Sequence, residues 1–223
     1  KKQRNLAQAG RQVRIAGAFL LLIMLLLLSL IWSICSGSVS VPIMEFLQEL
    51  REPKLRGMAW TIIWEIRLPR ALATLILGGA LALSGYLLQT FFHNPIAGPF
   101  VLGISSGSKL LVALVMVGFL EWNITINSGM LVAAAFAGAL LSMLFVLLVA
   151  RKMEQMAMLI VGGVMIGYIC SAITDFVVTF ASDADIVNLH NWSRGSFSGM
   201  TWENVAVMAG VTLVSAAAVF LLS

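Results

Sequence analysis

The sequence predicts an all-α, polytopic transmembrane helical bundle, and three observations support this fold class. Hydrophobic residues occupy 60% of the 223 positions and charged residues only 11%, whereas soluble domains are about 45–50% apolar and about 25% charged. Six apolar runs are long enough to cross a bilayer, since about 20 helical residues span its hydrocarbon core. No run alternates polar and apolar residues over about ten positions, as the strands of a membrane barrel do.

The first apolar run, Ile15–Cys35, predicts both a helix and its orientation. Five Lys and Arg residues precede it, and none lies in the 15 residues after it. Because basic loops stay on the cytoplasmic side, the N-terminus is predicted to be cytoplasmic. The run exceeds the roughly 7–15 residues of a signal-peptide core and has no A-x-A site after it, so we expect it to be retained.

Five further runs are predicted to span the membrane. They are Ala71–Phe92, Phe100–Leu120, Met130–Ala150, Met156–Ala181 and Val205–Leu222. The second span is predicted to begin at Arg67, with Pro69 in its first turn, where a missing amide costs nothing. Small residues recur at the four-residue spacing typical of close helix packing in lipid. They are Ala80-x-x-x-Ser84, Ala134-x-x-x-Gly138-x-x-x-Ser142 and Gly163-x-x-x-Gly167.

Two loops of substance are predicted on the outer side. In the loop 36–66, Pro42 begins a short amphipathic helix on the membrane surface, and Trp60 and Trp64 mark the interface before the next span. The loop 182–203 contains two tryptophans and two glycines. This composition suits a re-entrant or half-helix element near the membrane surface.

The residues give no indication of enzymatic chemistry. The two histidines lie on opposite predicted sides of the membrane, and the two cysteines show no metal-ligand spacing. The segment Gly103–Leu110 resembles a phosphate-binding loop only superficially, because Ser108 and Leu110 replace its required glycine and hydroxyl residue. We therefore predict no catalytic site, no resident metal or other cofactor, and no nucleotide binding. The basic N-terminal cluster is explained by orientation and does not indicate a nucleic-acid partner.

A long set of motifs carries a family resemblance. The motifs are Arg67-Leu68-Pro69-Arg70, Gly78-Gly79-Ala80-Leu81-Ala82-Leu83-Ser84-Gly85-x-x-x-Gln89, Asn94-Pro95-Ile96-Ala97-Gly98-Pro99, Leu102-Gly103-x-Ser105-Ser106-Gly107 and, more loosely, Trp192-x-x-Gly195 with Trp202. This pattern resembles the FecCD-type permeases, the membrane subunits of ABC importers for ferric siderophores, haem and cobalamin. The resemblance implies the first six of ten helices, so residues 1–223 are expected to form a single permease domain that is truncated.

The resemblance implies a transport subunit without enzymatic activity of its own. The expected cargo is an iron chelate, either a ferric siderophore or haem, and cobalamin is the alternative. Expected partners are an extracytoplasmic substrate-binding protein, cytoplasmic ATPase subunits and a second permease copy, identical or related, in a bacterial cytoplasmic membrane. An ion-coupled secondary transporter fragment is the alternative from another class, although no inverted repeat is visible. A structural or receptor bundle is the third possibility.

The resemblance also assigns roles to residues at the ends of the second span. Arg67 and Arg70 correspond to the outer-face arginines that receive glutamates from the binding protein, through charge-assisted hydrogen bonds. Interfacial anchoring by snorkelling is the alternative role. The structural turn on the cytoplasmic side is expected to comprise Asn94, Pro95, Pro99 and Gly103.

The translocation path and gate are expected on the third and fifth spans. Gln155, Met156 and Ala157 align with the family's cytoplasmic gate, although many relatives carry small hydroxyl residues there. Lys109 and Asp175 are conspicuous because a charge at a helix centre costs about 2.5–3.5 kcal/mol on insertion scales. Lys109 could line the path for an anionic chelate or snorkel inward, and Asp175 could face the outer vestibule or pair locally.

Overall fold

The structure, a computed structural model, describes residues 2–37, 57–121, 127–151 and 156–222, together with positions 39, 41, 44 and 48. Within these residues the secondary structure is helical and contains no strand, which confirms the all-α membrane fold. The amphipathic helix predicted after Pro42 falls mostly outside the described residues.

The described ranges of the chain form eight α-helices and one π-helix. They are α1 (Lys2–Cys35), α2 (Met58–Trp60), a π-helix (Thr61–Arg67), α3 (Leu68–Phe91), α4 (Ile104–Glu121), α5 (Ser128–Ala150), α6 (Met156–Val178), α7 (Asp183–Arg194) and α8 (Trp202–Leu222).

Among the described residues, five helical segments are long and apolar enough to cross a membrane: Gly10–Cys35, Met58–Phe91, Ser128–Val149, Met158–Val178 and Trp202–Leu221. They correspond to five of the six predicted spans. The third predicted span corresponds to α4, whose apolar part Ile104–Gly118 is shorter. Its predicted start at Phe100 is wrong, because residues 99–103 form turns and Gly103 adopts a positive φ of 71°. The loop predicted at 182–203 contains the short helix α7.

The predicted start of the second span at Arg67 is also wrong. Helical structure begins at Met58, so Pro69 lies well inside a continuous helical run and not in its first turn. In an α-helix, the Pro69 ring would clash with the carbonyl of Glu65, four residues earlier. The π-helix relieves this conflict, since the Leu68 amide donates to Ile63, five residues back.

The described chain forms two compact units. The first unit comprises Lys1–Leu77 and Phe197–Ser223. Its apolar helices present mostly exposed side chains, and none of the α1 window is buried within the protein. A column of three stacked indoles, Trp60, Trp64 and Trp202, joins the π-helix to the start of α8, with both neighbouring ring pairs 5.1 Å apart.

The second unit, Gly78–Ser196, contains two apolar clusters. One is built around Phe92, which is only 2% exposed, and includes Ala97, Leu102, Val146, Leu159 and Ile166. The other joins α4 to α7 through Val112, Ala113, Met116 and Leu189, with Trp192 packed against it. Helix α7 then ends at Gly195, whose φ of 70° stops the helix.

Candidate functional site

Arg67 is nearly buried, with only 8% of its surface exposed. Its Nη1 donates hydrogen bonds to the carbonyls of Ile34, at 2.9 Å, and Cys35, at 3.1 Å, and its Nη2 donates to the carbonyl of Val39. Ile34 and Cys35 are the last two residues of α1, where helix carbonyls have no intrahelical partner. The guanidinium therefore occupies the C-terminus of α1.

Gly37 makes room for this arrangement. A Cβ atom on Gly37 would lie 2.6 Å from Nη2 of Arg67 and 2.9 Å from its Cζ. Both distances are far shorter than van der Waals contact, so any larger residue at position 37 would displace the guanidinium. We call Arg67, Gly37 and the carbonyls of Ile34, Cys35 and Val39 the Arg67 clasp.

Arg70 has a different environment one helical turn later. It is half-buried, and its Nη2 donates one long hydrogen bond, 3.4 Å, to the carbonyl of Ser198. Its Nε is enclosed and has no hydrogen-bond partner among the described residues. The two arginines of the predicted docking pair are therefore close in sequence but unequally satisfied.

The neighbouring indole column is held by a hydrogen bond that Pro69 makes possible. In the π-helical register, the carbonyl of Trp64 would face the amide of residue 69, and proline has no N–H. Nε1 of Trp202 donates to this carbonyl instead, at 3.0 Å. Trp64 and Trp202 remain partly exposed, at 37% and 36%.

The turn after α3 ends the helix with a Schellman motif. The amide of His93 donates to Thr90 and the amide of Asn94 to Gln89, the two hydrogen bonds that define this cap. His93 adopts a φ of 48°, a conformation that glycine normally supplies. The side chain of Asn94 then accepts from the amide of Ile96 at 3.0 Å, so Asn94 and Pro95 lie in a tight turn.

Glycines allow the backbones of the second unit to touch. A Cβ on Gly103 would lie 2.7 Å from the carbonyl oxygen of Gly163 and 2.9 Å from the amide nitrogen of Gly167. Gly138 meets Gly107 in the same way, since a Cβ on Gly138 would lie 2.8 Å from the Gly107 carbonyl carbon. Two of the three small-residue motifs thus mark helix contacts, as predicted.

The third motif, Ala80-x-x-x-Ser84, is not accompanied by close glycine contacts among the described residues. Gly78, Gly79 and Gly85 lie around it, and a Cβ on any of them would have no atom within 4 Å among the described residues.

The two ionisable path candidates are not brought together. Lys109 is half-buried on α4, and Asp175 is exposed near the end of α6. Within the described part of the chain, neither side chain has a hydrogen bond or an ion pair. Of the gate candidates, Gln155 lies outside the described residues, and Met156 and Ala157 are described only as the first residues of α6.

Asp175 belongs to a polar stripe that was missed in the sequence. Tyr168, Ser171 and Asp175 are spaced by three and four residues, so they share one face of α6, and all three are exposed. Tyr168 is 74% exposed. The three-and-four spacing of polar residues within an apolar span was the available signal.

A groove of about 300 Å³ runs beside this stripe between the start of α4 and the middle of α6. The hydroxyl-bearing residues Ser106, Tyr168 and Ser171 line it, together with the glycines of the close backbone contact. A second cavity of about 310 Å³ among α4, α5 and α6 is almost entirely apolar. The first groove is therefore the better candidate for a polar ligand.

Comparison with known proteins places the chain among membrane permeases. The sequence model of the FecCD transport family matches residues 25–223. The vitamin B12 import system permease protein BtuC of Klebsiella pneumoniae is 38% identical over 188 residues, which are 84% of this chain and 53% of that protein. The same-named protein of Escherichia coli O127:H6 is 35% identical over 193 residues, 85% of this chain and 55% of that protein.

One solved structure has the same fold. It is an inward-facing conformation assigned to a metal-chelate type ABC transporter, with a TM-score of 0.73 and 24% sequence identity. The match covers 93% of this chain and 62% of that one. The chain spans about half the length of the curated relatives it matches. Since the family model covers most of the sequence, the chain belongs to the FecCD transport family.

Proposed function

We propose that this chain supplies membrane-spanning helices of the permease subunit of a binding-protein-dependent ABC importer. Family membership and the relatives named as import permeases support this function. The structural observation that carries it is the exposed polar stripe of Tyr168, Ser171 and Asp175 on α6. Lipid-facing helices do not need such a stripe, whereas a helix lining an aqueous path does.

Cobalamin is the first candidate cargo. The relatives named as vitamin B12 import permeases favour it over the iron chelate that the sequence predicted as the main cargo. Hydroxyl groups and a single carboxylate suit a large, mostly uncharged molecule that must bind weakly and move on. An iron chelate, a ferric siderophore or haem, is the second candidate, and the observation in its favour is Lys109, a cation suited to an anionic cargo.

The path is proposed to follow the α6 stripe, with Lys109 beside it on α4 and a gate at Gln155, Met156 and Ala157. The groove lined by Ser106 and Tyr168 adds to the support for this route. Asn94, Pro95, Pro99 and Gly103 are proposed to serve as the structural turn between α3 and α4.

The remaining partners follow from the same proposal. ATPase subunits would act on the cytoplasmic side, a second permease copy would complete the path, and a substrate-binding protein would dock outside, at the helical turn that carries Arg67 and Arg70. The N-terminus would lie in the cytoplasm of a bacterial cell, as the basic residues before α1 favour. Arginine guanidiniums suit such docking, because they form paired hydrogen bonds with carboxylates.

The test is uptake by the full-length permease, reconstituted in proteoliposomes with its ATPase subunits and binding protein. We expect ATP-dependent uptake of radiolabelled cyanocobalamin, and uptake of a ferric siderophore instead would select the second cargo. Uptake driven by an ion gradient without ATP would overturn the proposal.

A pair of variants tests the path. Ser171→Phe should lower uptake by about ten-fold or more, because a bulky ring would narrow the polar face. Met165→Phe adds a similar ring to a different, apolar face of the same helix and should leave uptake within about two-fold. Equal effects of the two variants would remove α6 from the path.

A further inference from the structure

The end of α1 has an electrostatic requirement that the local sequence does not meet. The last carbonyls of an α-helix lack intrahelical partners and carry its partial negative charge. Helix α1 has no basic residue in its last turn. A cation from another part of the chain is therefore the natural partner for this helix end.

Arg67 supplies that cation and donates hydrogen bonds to three carbonyls at once. The guanidinium offers five N–H donors in a rigid plane, and two of its nitrogens reach three carbonyls, those of Ile34, Cys35 and Val39. Arg67 is also the last residue of the π-helix, the segment that contacts α1. Its hydrogen bonds thus tie the end of one helix to the end of another.

Two observations indicate that the Arg67 side chain is held at the end of α1. Only 8% of the residue is exposed. Gly37 closes over the guanidinium so tightly that a single methyl group there would overlap it. A carboxylate from outside could reach Arg67 only after the guanidinium had left three carbonyls, two of which would then lack a partner again.

The Arg70 side chain is not held in its position by comparable hydrogen bonds. Its Nη2 makes one weak hydrogen bond, at 3.4 Å, and its Nε has no partner among the described residues. A carboxylate that displaced the Ser198 carbonyl would accept from Nη2 in its place. Nε is enclosed, so the paired geometry that guanidinium and carboxylate prefer requires the atoms around Nε to move aside as well.

We propose that Arg67 is a positioning residue that fastens the end of α1 to the π-helix, and that Arg70 alone meets the carboxylate of a docking partner. The second part rests on the proposed docking function, whereas the first part does not. The sequence motif gives no reason to distinguish the two arginines, whereas their hydrogen bonds in the structure differ.

The reactivity of the native Cys35 thiol tests the first part of the proposal, that Arg67 fastens the end of α1. Cys35 lies at the end of α1, is half-buried, and its own carbonyl accepts from Arg67. In the full-length protein with Cys170 and any cysteine outside residues 1–223 replaced by serine, the labelling rate with N-ethylmaleimide would measure how often the end of α1 opens. We expect Arg67→Met and Gly37→Ala each to raise this rate by about five-fold or more.

Three controls separate the clasp from general destabilisation. Gly17→Ala adds the same methyl group to α1 at a place where no atom of the described residues lies within 4 Å, and it should leave the rate unchanged. Arg70→Met should also leave it unchanged. Arg67→Lys should restore only part of the protection, because one ammonium cannot reproduce the planar fork.

The double variant Arg67→Met, Gly37→Ala should label no faster than the faster single variant, because both changes break the same contact. Unchanged labelling in both single variants would overturn the clasp. Gly37→Ala also keeps the test decisive if Arg67→Met fails to fold, because it retains the arginine and only displaces it.

Docking is measured separately, as the affinity of the purified substrate-binding protein for the permease in nanodiscs. We expect Arg70→Met to weaken binding by about ten-fold or more, since a hydrogen bond to a charged group is lost. Arg67→Met should weaken it by less than about three-fold. Equal loss in the two variants, with Cys35 labelling unchanged, would assign docking to Arg67 as well. Unchanged affinity in both, with faster labelling in Arg67→Met, would remove docking and leave the clasp standing.

Discussion

The two units of the chain are stabilised by opposite means. In the first unit, long polar and aromatic side chains reach backbone carbonyls: Arg67 binds the end of α1, and Trp202 binds Trp64. In the second unit, backbones approach so closely at Gly103, in the turn before α4, and at Gly138 of α5 that they touch without intervening side chains.

The difference shows two solutions to packing in a membrane. Lipid tails are as apolar as leucine, so apolar burial alone does not hold helices together. Glycine contacts bring two backbones together over a wide surface, which increases the dispersion attraction between them. They leave no room for an added atom. Side-chain hydrogen bonds to carbonyls act at single points and tolerate partial replacement. Substitutions should therefore be costlier at the glycines of the second unit than at the side chains of the first.

The largest expected effect is that of Gly138→Ala. The new Cβ would overlap Gly107 backbone atoms, including its carbonyl carbon at 2.8 Å, and backbone atoms cannot move aside. We expect a loss of about 1–3 kcal/mol in the free energy of unfolding, in the range of overpacked cores. This change in the free energy of unfolding is measured by equilibrium unfolding of the full-length protein in mixed micelles.

Gly118→Ala is the matched control for this prediction. It adds the same methyl group to α4, where nothing lies within 4 Å among the described residues. We expect no loss of stability there, because alanine is the better helix former. If the two alanines behave alike, backbone contact is not what stabilises the second unit.

The next effect is expected at the indole column. Trp202→Phe keeps an aromatic ring but removes the N–H that donates to Trp64 at 3.0 Å. We expect a loss of about 0.5–1.5 kcal/mol, the usual net contribution of one hydrogen bond. Thermal unfolding of the full-length protein gives the value.

Pro69→Ala tests the reason for that hydrogen bond. An alanine at position 69 restores an amide that can donate to the Trp64 carbonyl. In this background Trp202→Phe should cost less than in the native protein. An undiminished cost would mean that the indole bond does not compensate for the missing proline amide.

The smallest effect is expected at the turn after α3, and its sign is opposite. His93 adopts a φ of 48°, which costs a residue with a Cβ about 1–2 kcal/mol. His93→Gly should remove this strain and raise the stability by about 0.5–1 kcal/mol, after allowance for the flexibility of glycine in the unfolded chain. His93→Ala retains the Cβ and should show no such gain, so a gain with alanine would argue against strain.

Much of the fold could be predicted from the sequence because lipid imposes a simple rule. An apolar run of about 20 residues must be helical to satisfy its backbone, so the positions of α1, α5, α6 and α8 followed from hydropathy. The segment from Met58 to Ile66 was read as loop, because its two tryptophans were taken as markers of the membrane interface and Glu65 and Arg67 interrupt the apolar run. The π-helix within it depends on Pro69 and was equally invisible.

The candidate site divides in the same way. The glycine contacts were predictable, because small residues at four-residue spacing lie on one helix face. The polar stripe around Ser171 could have been found by the same spacing argument. The environment of Arg67 could not, because it depends on where the end of α1 lies in space and on Gly37, which is thirty positions away in sequence.

The π-helix has a consequence for comparing sequences of this kind. A π-turn accommodates an extra residue within a helical run. A relative that lacks one residue between Trp60 and Pro69 and is α-helical there can therefore keep both helix ends, with its arginine facing the same neighbour. A one-residue gap at this point of an alignment would then indicate a change of helix type, from π to α, and not a change in the direction of the arginine.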